Sequence, residues 1–205
     1  MGKVWRTIAA AAITLIGVAV IAYSGSRASS NDYTEYWSAG KLFVKHANPY
    51  SGPMILALEK SQGFTPDAPL IMLNPPWELL LVAPLGFCAA LPGLFLWMLM
   101  CAGCLAASVW LLDVPVKFRT LAFLFAPVIA GFSMEQSSPF LLLGFALFLR
   151  FNQSRPFLAG ASLYLMSIKP HLFLVFWALL LCDCIYRRRF KILAGLAAAM
   201  GCVSV

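Results

Sequence analysis

Residues 31–50 read NDYTEYWSAGKLFVKHANPY and form the first polar segment of a chain that is otherwise strongly apolar. They follow one hydrophobic run and precede all the others. Two of the eight carboxylates of the chain, Asp32 and Glu35, lie here among aromatic residues. A membrane protein that acts at the lipid surface needs a carboxylate where lipid meets water. We therefore predict that this segment carries the chemistry and that the remaining chain holds a lipid-borne substrate against it.

The composition indicates that most of the chain lies in a membrane. Of the 205 residues, 61% are hydrophobic and 11% are charged, whereas soluble domains carry roughly 25% charged residues. The net charge is +7, but the basic residues flank apolar runs, as in the loops that orient membrane proteins. No basic patch alternates with aromatic residues on a polar domain, so we expect no nucleic-acid partner.

The six cysteines all lie in or beside apolar runs. Cys101 and Cys104 have the spacing of one half of a zinc site, but no second pair accompanies them at the required distance. Free cysteine behaves as a small hydrophobic residue. We interpret the cysteines as packing residues and expect neither a metal nor a cofactor.

The first apolar run, residues 7–23, follows Lys3 and Arg6. It is close to the roughly 20 residues that cross a bilayer, and we predict an uncleaved span rather than a signal peptide. With the basic end inside, residues 24–74 form an external loop. Residues 33–47 of that loop show helical periodicity, with aromatic residues on one face and Thr34, Ser38, Lys41 and Lys45 on the other. This pattern predicts an amphipathic helix in the membrane interface.

Residues 75–205 alternate full and half-length apolar runs with short polar breaks, which predicts further membrane segments. The runs are 77–91 with Pro84 in its middle, 94–112, 120–132, 139–149, 157–168, 172–186 and 192–205. Residues 187–191 are the strongest cytoplasmic anchor. The predicted fold is an all-α, multi-pass membrane protein with one membrane domain over residues 1–205. Because the last run stops within a helical pattern, we expect the chain to be the front part of a longer protein.

Polar motifs recur along the chain in a defined order. They are Asp32-Tyr33 with Tyr36-Trp37, then Asn48-Pro49-Tyr50, Pro75-Pro76-Trp77, Glu135-Gln136 and Lys169-Pro170. In this order they resemble the GT-C membrane glycosyltransferases of family 87, which use a polyprenyl-phosphate sugar donor. The family usually has Gly-Gln where this chain has Glu135-Gln136.

The resemblance implies a multi-pass helical enzyme of the bacterial plasma (inner) membrane. Such an enzyme transfers a hexose, often mannose, from the polyprenyl-phosphate donor to a glycan or glycolipid acceptor on the external side. An acid in the first external loop of these enzymes acts as general base on the acceptor hydroxyl. The resemblance gives that catalytic role to Asp32.

Each candidate residue also has a purely structural interpretation. Asp32 and Glu35 have the spacing of a helix cap with its return partner, which is compatible with a catalytic role for Asp32. Lys41 and Lys45 lie one helical turn apart and could hold a donor phosphate, or could form a solvated face. Glu35 could contact substrate or serve only as the capping partner.

Three further candidates lie in the second half of the chain. Lys169 is a lone cation in apolar sequence, where a charge usually faces a cavity or a partner, and Pro170 breaks the helix beside it. Contact with the donor phosphate and a plain interfacial turn are both open. Glu135 and Gln136 could line the same cavity or mark a loop between two half-length helices, and His171 could be a second base or a polar turn residue. The predicted substrate-binding residues are therefore Glu35, Lys41, Lys45, Gln136, Lys169 and His171.

Two other functions remain open from the sequence. A transporter or lipid-handling protein also uses broken helices and buried charges, although the sequence shows no inverted repeat. An inactive fragment of a glycosyltransferase would keep the same motifs. Activity as a hexosyltransferase is therefore expected if the chain is complete or is completed by a partner segment.

Overall fold

The computed structural model describes residues 32–63 and 67–203. The predicted first span, residues 7–23, lies outside the described residues, as do residues 24–31 of the predicted external loop. All regular secondary structure in the described part is helical. This confirms the predicted all-α class.

The helices form two compact units. The first unit contains the described chain up to Leu73, together with Glu78–Gly103 and Pro115–Ser137. Its helices are α1 (Asp32–Val44), α2 (Gly52–Ser61), α3 (Leu79–Gly86, entered through a 3₁₀ turn at Pro76–Glu78), the first part of α4 (Ala90–Leu111), α5 (Val116–Leu124) and α6 (Ala126–Ser133).

The second unit contains Asn74–Trp77, Cys104–Val114 and the described chain from Ser138 onward. Its helices are the last part of α4, α7 (Ser138–Phe151), α8 (Pro156–Ser162), two 3₁₀ segments (Met166–Ile168 and Pro170–Phe173), α9 (Leu174–Tyr186) and α10 (Phe190–Val203). Phe176 is central to its packing, since its ring lies 5.4–6.4 Å from the rings of Phe145, Phe148, Phe173 and Trp177. Such edge-to-face contacts are a favourable geometry for aromatic pairs.

In the first unit, α1 and α3 cross at two glycines. A Cβ atom added to Gly40 would collide with the carbonyl oxygen of Val82, and one added to Gly86 would collide with the carbonyl oxygen of Gly40. The two backbones therefore touch directly, which only residues without a side chain allow. This close crossing fixes α1, and with it the acidic residues of its first turn.

The predicted helix at residues 33–47 is present as α1, but its surroundings differ from the prediction. Thr34 and Ser38, which the periodicity assigns to the polar face, are buried. The reason is that α1 packs against both α2 and α3, while Tyr36 contacts Trp97 of α4. The helix is covered on several sides and does not expose one polar face.

One described helix is long and apolar enough to cross a membrane by itself. It is α4, with 22 residues and hence a length of about 33 Å, close to the thickness of the hydrocarbon core. Helices α5 and α6 meet the same test only as a pair, which is bent by 43° at the break between them. The other apolar helical stretches of the described chain, counted with their adjoining 3₁₀ segments, have 10–17 residues. This agrees with the predicted mixture of full and half-length runs.

Candidate functional site

One face of α1 is attached to the turn between α3 and α4 by side-chain hydrogen bonds. The Tyr33 hydroxyl donates to the carbonyl oxygen of Ala90 at 2.6 Å. Trp37 Nε1 and Lys41 Nζ both donate to the carbonyl oxygen of Cys88 at 3.2 Å. These three residues are spaced by four and so lie on one helical face. They satisfy carbonyl groups at the helix break and hold α1 in a fixed rotation.

That rotation directs Asp32 toward the break between α6 and α7. Gln136 Nε2 donates to Asp32 Oδ2 at 2.5 Å, although the two residues are 104 positions apart in the chain. The Tyr36 hydroxyl lies 3.4 Å from the same oxygen. Two residues that the sequence identified separately, the candidate base and a candidate substrate contact, therefore meet in the fold.

The position of Gln136 depends on the backbone of Glu135. Glu135 has a φ of 58°, in the left-handed region, and its N–H and that of Gln136 close the end of α6 by bonding to Phe132 and Gly131 carbonyls. Trp97 Nε1 donates to the Glu135 carbonyl oxygen at 2.9 Å. The left-handed turn is the conformation that glycine adopts most readily, which gives a physical meaning to the Gly-Gln pattern of the resembled family.

The tyrosine beside the Asp32 carboxylate is buried among other polar groups. Burial, and next the negative charges of Glu78 and Asp32, raise the pKa of the Tyr36 hydroxyl above its ordinary value. Because the shift is upward, Tyr36 keeps its proton at physiological pH and remains a hydrogen-bond donor. Burial of Tyr50, and next the negative charge of Glu78, likewise raise the pKa of the Tyr50 hydroxyl. Both hydroxyls therefore stay protonated and uncharged at physiological pH.

Sequence reasoning did not select Glu78. This carboxylate is buried in the first unit and its charge acts on both Tyr36 and Tyr50. The sequence does offer a signal for Glu78, because it is a lone acid directly after Pro75-Pro76-Trp77 and before a long apolar run. Charged residues within apolar sequence usually serve a function.

The other predicted residues have varied environments. Glu35 is half-buried on α1, Lys41 is half-buried with Nζ on the Cys88 carbonyl oxygen, and Lys45 is exposed just after α1. Lys169 and His171 belong to the second unit, where Lys169 is half-buried before the 3₁₀ segment and His171 is exposed within it. Of the predicted set, the first unit brings Gln136 into hydrogen-bond contact with Asp32.

The arrangement around Asp32 suits proton transfer. Within the described chain, the side-chain hydrogen bonds from Tyr36 and Gln136 to the Asp32 carboxylate both end on Oδ2. A general base needs its oxygen at about 2.6–3.2 Å from the group that loses the proton. No group of three or more His, Cys, Asp and Glu side chains that could hold a metal ion occurs in the described residues.

Comparison with known proteins identifies one family. The model of glycosyltransferase family 87 matches residues 72–205, which include Gln136, Lys169 and His171 and begin after α1 and Asp32. Neither the curated proteins nor the solved structures contain a match to the chain. The matched segment covers more than half of the chain. The members of this family are membrane glycosyltransferases. The protein therefore belongs to glycosyltransferase family 87.

Proposed function

We propose that the protein transfers a hexose, mannose in the first instance, from a polyprenyl-phosphate donor to a glycan or glycolipid acceptor. Family membership supports sugar transfer between a donor and an acceptor. The lipid donor and the mannosyl specificity rest on the resemblance of the polar motifs. Membership of the family favours this function over the transporter or lipid-handling alternative.

The observation that carries the proposal is the contact between Gln136 Nε2 and Asp32 Oδ2. It joins a residue of the segment matched by the family to the acid of the preceding loop. An amide that donates to one carboxylate oxygen fixes the plane of the carboxylate and orients the second oxygen. Orientation of a catalytic group toward its reactant is one source of rate enhancement in enzymes.

In the proposed reaction, Asp32 Oδ1 takes the proton of the acceptor hydroxyl while that oxygen attacks the anomeric carbon of the donor. A glycosidic bond forms, the bond between the anomeric carbon and the phosphate oxygen breaks, and polyprenyl phosphate leaves with the bonding electron pair. Lys169 and His171 are our candidates for contact with the donor phosphate, with Lys45 and Lys41 as further cations. Glu35 is proposed to contact the acceptor.

The proposed setting is a multi-pass protein of the bacterial plasma membrane. Residues 24–74 lie outside and residues 187–191 lie inside, as the charge distribution predicts. The single membrane domain would then combine α4 with the broken pair α5–α6 and the shorter apolar helices. Short and broken helices are tolerated in a membrane where they line a cavity or pack within protein.

The proposal is tested by measuring which of three sugar donors the protein uses. The full chain in sealed membrane vesicles is supplied with radiolabelled polyprenyl-phosphate mannose, polyprenyl-phosphate glucose or a nucleotide-linked mannose. We expect label to enter the glycan or glycolipid fraction from polyprenyl-phosphate mannose, with the donor on the external face. Transfer from the nucleotide-linked sugar alone would contradict the proposed donor, and preference for glucose would contradict the proposed sugar.

A further inference from the structure

The second unit contains a basic cavity of about 260 Å³ away from its aromatic core. It lies between the loop that joins α7 to α8 and the turn that joins α9 to α10. The lining residues are Asn152, Gln153, Pro156, Arg188, Arg189 and Lys191. Three of these side chains are cationic, two are amides, and none is acidic.

The positive charge of the basic cavity is only partly balanced. Asp183 pairs with Arg187 at 2.7 Å and with Arg189 at 3.5 Å, so one carboxylate is shared by two guanidinium groups. Within the described part of the chain, Arg188 and Lys191 form no ion pair. The cavity therefore carries the charge of two cations with no nearby acid to neutralise them.

The lining is arranged to donate hydrogen bonds. Arg189 Nη2 donates to the backbone carbonyl of Asn152 and reaches the side-chain oxygen of the same residue at 3.4 Å. That contact holds Arg189, whose side chain is only 21% exposed, against the wall of the cavity. Arginine, lysine and amide groups together offer many donors, which match the several acceptor oxygens of a phosphate group.

Exposed aromatic residues lie beside the basic cavity in the sequence. Phe157 follows Pro156, Phe190 lies between Arg189 and Lys191, and Tyr186 immediately precedes the arginine run. They are 47%, 56% and 88% exposed. Aromatic side chains concentrate at the membrane–water interface, which is where the headgroup of a phospholipid lies. A free phosphate ion would gain nothing from these neighbours.

We infer that the basic cavity binds the phosphate-bearing headgroup of an anionic phospholipid in the cytoplasmic leaflet. The positive-inside distribution assigns residues 187–191 to that side, where anionic lipids meet basic pockets between helices. Such binding would fix the α7–α8 loop against the α9–α10 turn and anchor the second unit at the inner surface. The inference does not depend on the sugar, donor or acceptor of the proposed reaction.

Native mass spectrometry of the full chain in detergent, titrated with phosphatidylglycerol or phosphatidylcholine, tests the inference. We compare the wild type with Arg188→Gln/Lys191→Gln. A basic residue near an anionic surface contributes about 1 kcal/mol, so the double variant should bind phosphatidylglycerol about 25-fold more weakly. Binding of phosphatidylcholine, which has no net charge, should change little. Lys60→Gln/Lys117→Gln removes two exposed cations elsewhere and should retain the wild-type preference.

A second variant guards against misfolding or altered insertion of the first. Gln153→Glu keeps all cations and nearly the same shape, and acidic residues contribute little to membrane orientation. It should also lower the affinity for phosphatidylglycerol. Unchanged affinity in both variants would overturn the inference. Displacement of the lipid from the wild type by excess inorganic phosphate would also overturn it, because the cavity would then be a site for free phosphate.

Discussion

At the scale of single residues, the contact between Gln136 and Asp32 is the most informative feature of the molecule. A hydrogen bond to a charged group contributes about 1.5–3 kcal/mol, and about 1.4 kcal/mol corresponds to a tenfold change in rate. The contact is thus strong enough to control how Asp32 presents its second oxygen. Tyr36, held neutral by burial and by nearby carboxylates, supports the same oxygen.

Replacement of Gln136 tests whether it positions Asp32 or binds the donor. Gln136→Ala should lower kcat by about 10- to 100-fold and leave the KM for the donor nearly unchanged, because the lost contact is to the base. Steady-state kinetics of sugar transfer measure both constants. Gln62→Ala, which removes an exposed glutamine outside the site, is the control. A large rise in donor KM with unchanged kcat would assign Gln136 to substrate binding instead.

Glu135 offers a test of backbone strain next to the site. A left-handed φ costs a residue with a side chain about 1–2 kcal/mol, and glycine avoids this cost. Glu135→Gly and Glu135→Ala both remove the carboxylate, but only the glycine variant removes the strain. A difference of 1 kcal/mol corresponds to roughly 2–4 °C in Tm at this size. Thermal unfolding in detergent should give the glycine variant the higher Tm; equal values would show that the turn is not strained.

At the scale of the elements, four helix ends share one capping motif. After α1, α4, α6 and α9, a residue with left-handed φ follows the last turn, and the next N–H bonds to a carbonyl five positions earlier. This is the hydrogen bond of the Schellman motif. The four residues are His46, Asp113, Glu135 and Arg188, none of which is glycine. At the end of α6 the motif leads into Gln136, and at the end of α9 it leads into the lining of the basic cavity.

The crossing of α1 and α3 should be intolerant of any side chain. Gly40→Ala places a methyl group against the backbone carbonyl of Val82, and overpacking costs about 1–3 kcal/mol. We expect a lower Tm and reduced transfer activity, because α1 carries Asp32. Gly103→Ala in α4 is the matched control: nothing lies within 4 Å of its added Cβ, so it should unfold no earlier than the wild type. Equal behaviour of both variants would contradict the close crossing.

The helices were largely predictable from the sequence, whereas their burial was not. Hydrophobic runs and the proline breaks place α1, α4, α7 and α9 close to their observed bounds. Periodicity also assigned Thr34 and Ser38 to a polar surface, yet both are buried. A single helix pattern cannot show that neighbours cover its second face. For the same reason, no local signal joined Asp32 to Gln136.

At the scale of the whole molecule, the family match covers one part of the site, which includes Gln136, but not the helix that carries Asp32. The match begins at residue 72, after the helix that carries Asp32. The resemblance of the first loop therefore rests on its own motifs. The packing of α1 against α3, and the bond from Gln136 to Asp32, connect the matched segment to that loop within the first unit.

Membrane orientation is open to direct labelling. In a background with the six cysteines replaced by alanine, Ser61→Cys should react with an impermeant thiol reagent added outside intact cells. Arg188→Cys should react only after the membrane is opened. The basis is the basic run at residues 187–191, which the positive-inside rule assigns to the cytoplasm. Equal reactivity of both positions from outside would contradict the proposed topology.

The most direct measurement is the transfer rate of Asp32→Asn at saturating donor and acceptor. Asparagine preserves the shape of the side chain and caps a helix as well as aspartate. Gln136 can turn its amide so that its oxygen accepts from the new group. Only the proton acceptor is lost, and general-base catalysis contributes about 10²–10⁴-fold. Our account predicts a loss of that size, with Asp67→Asn, an exposed acid of the same predicted loop, near wild type. Near-normal turnover of Asp32→Asn would contradict the account and move the base elsewhere.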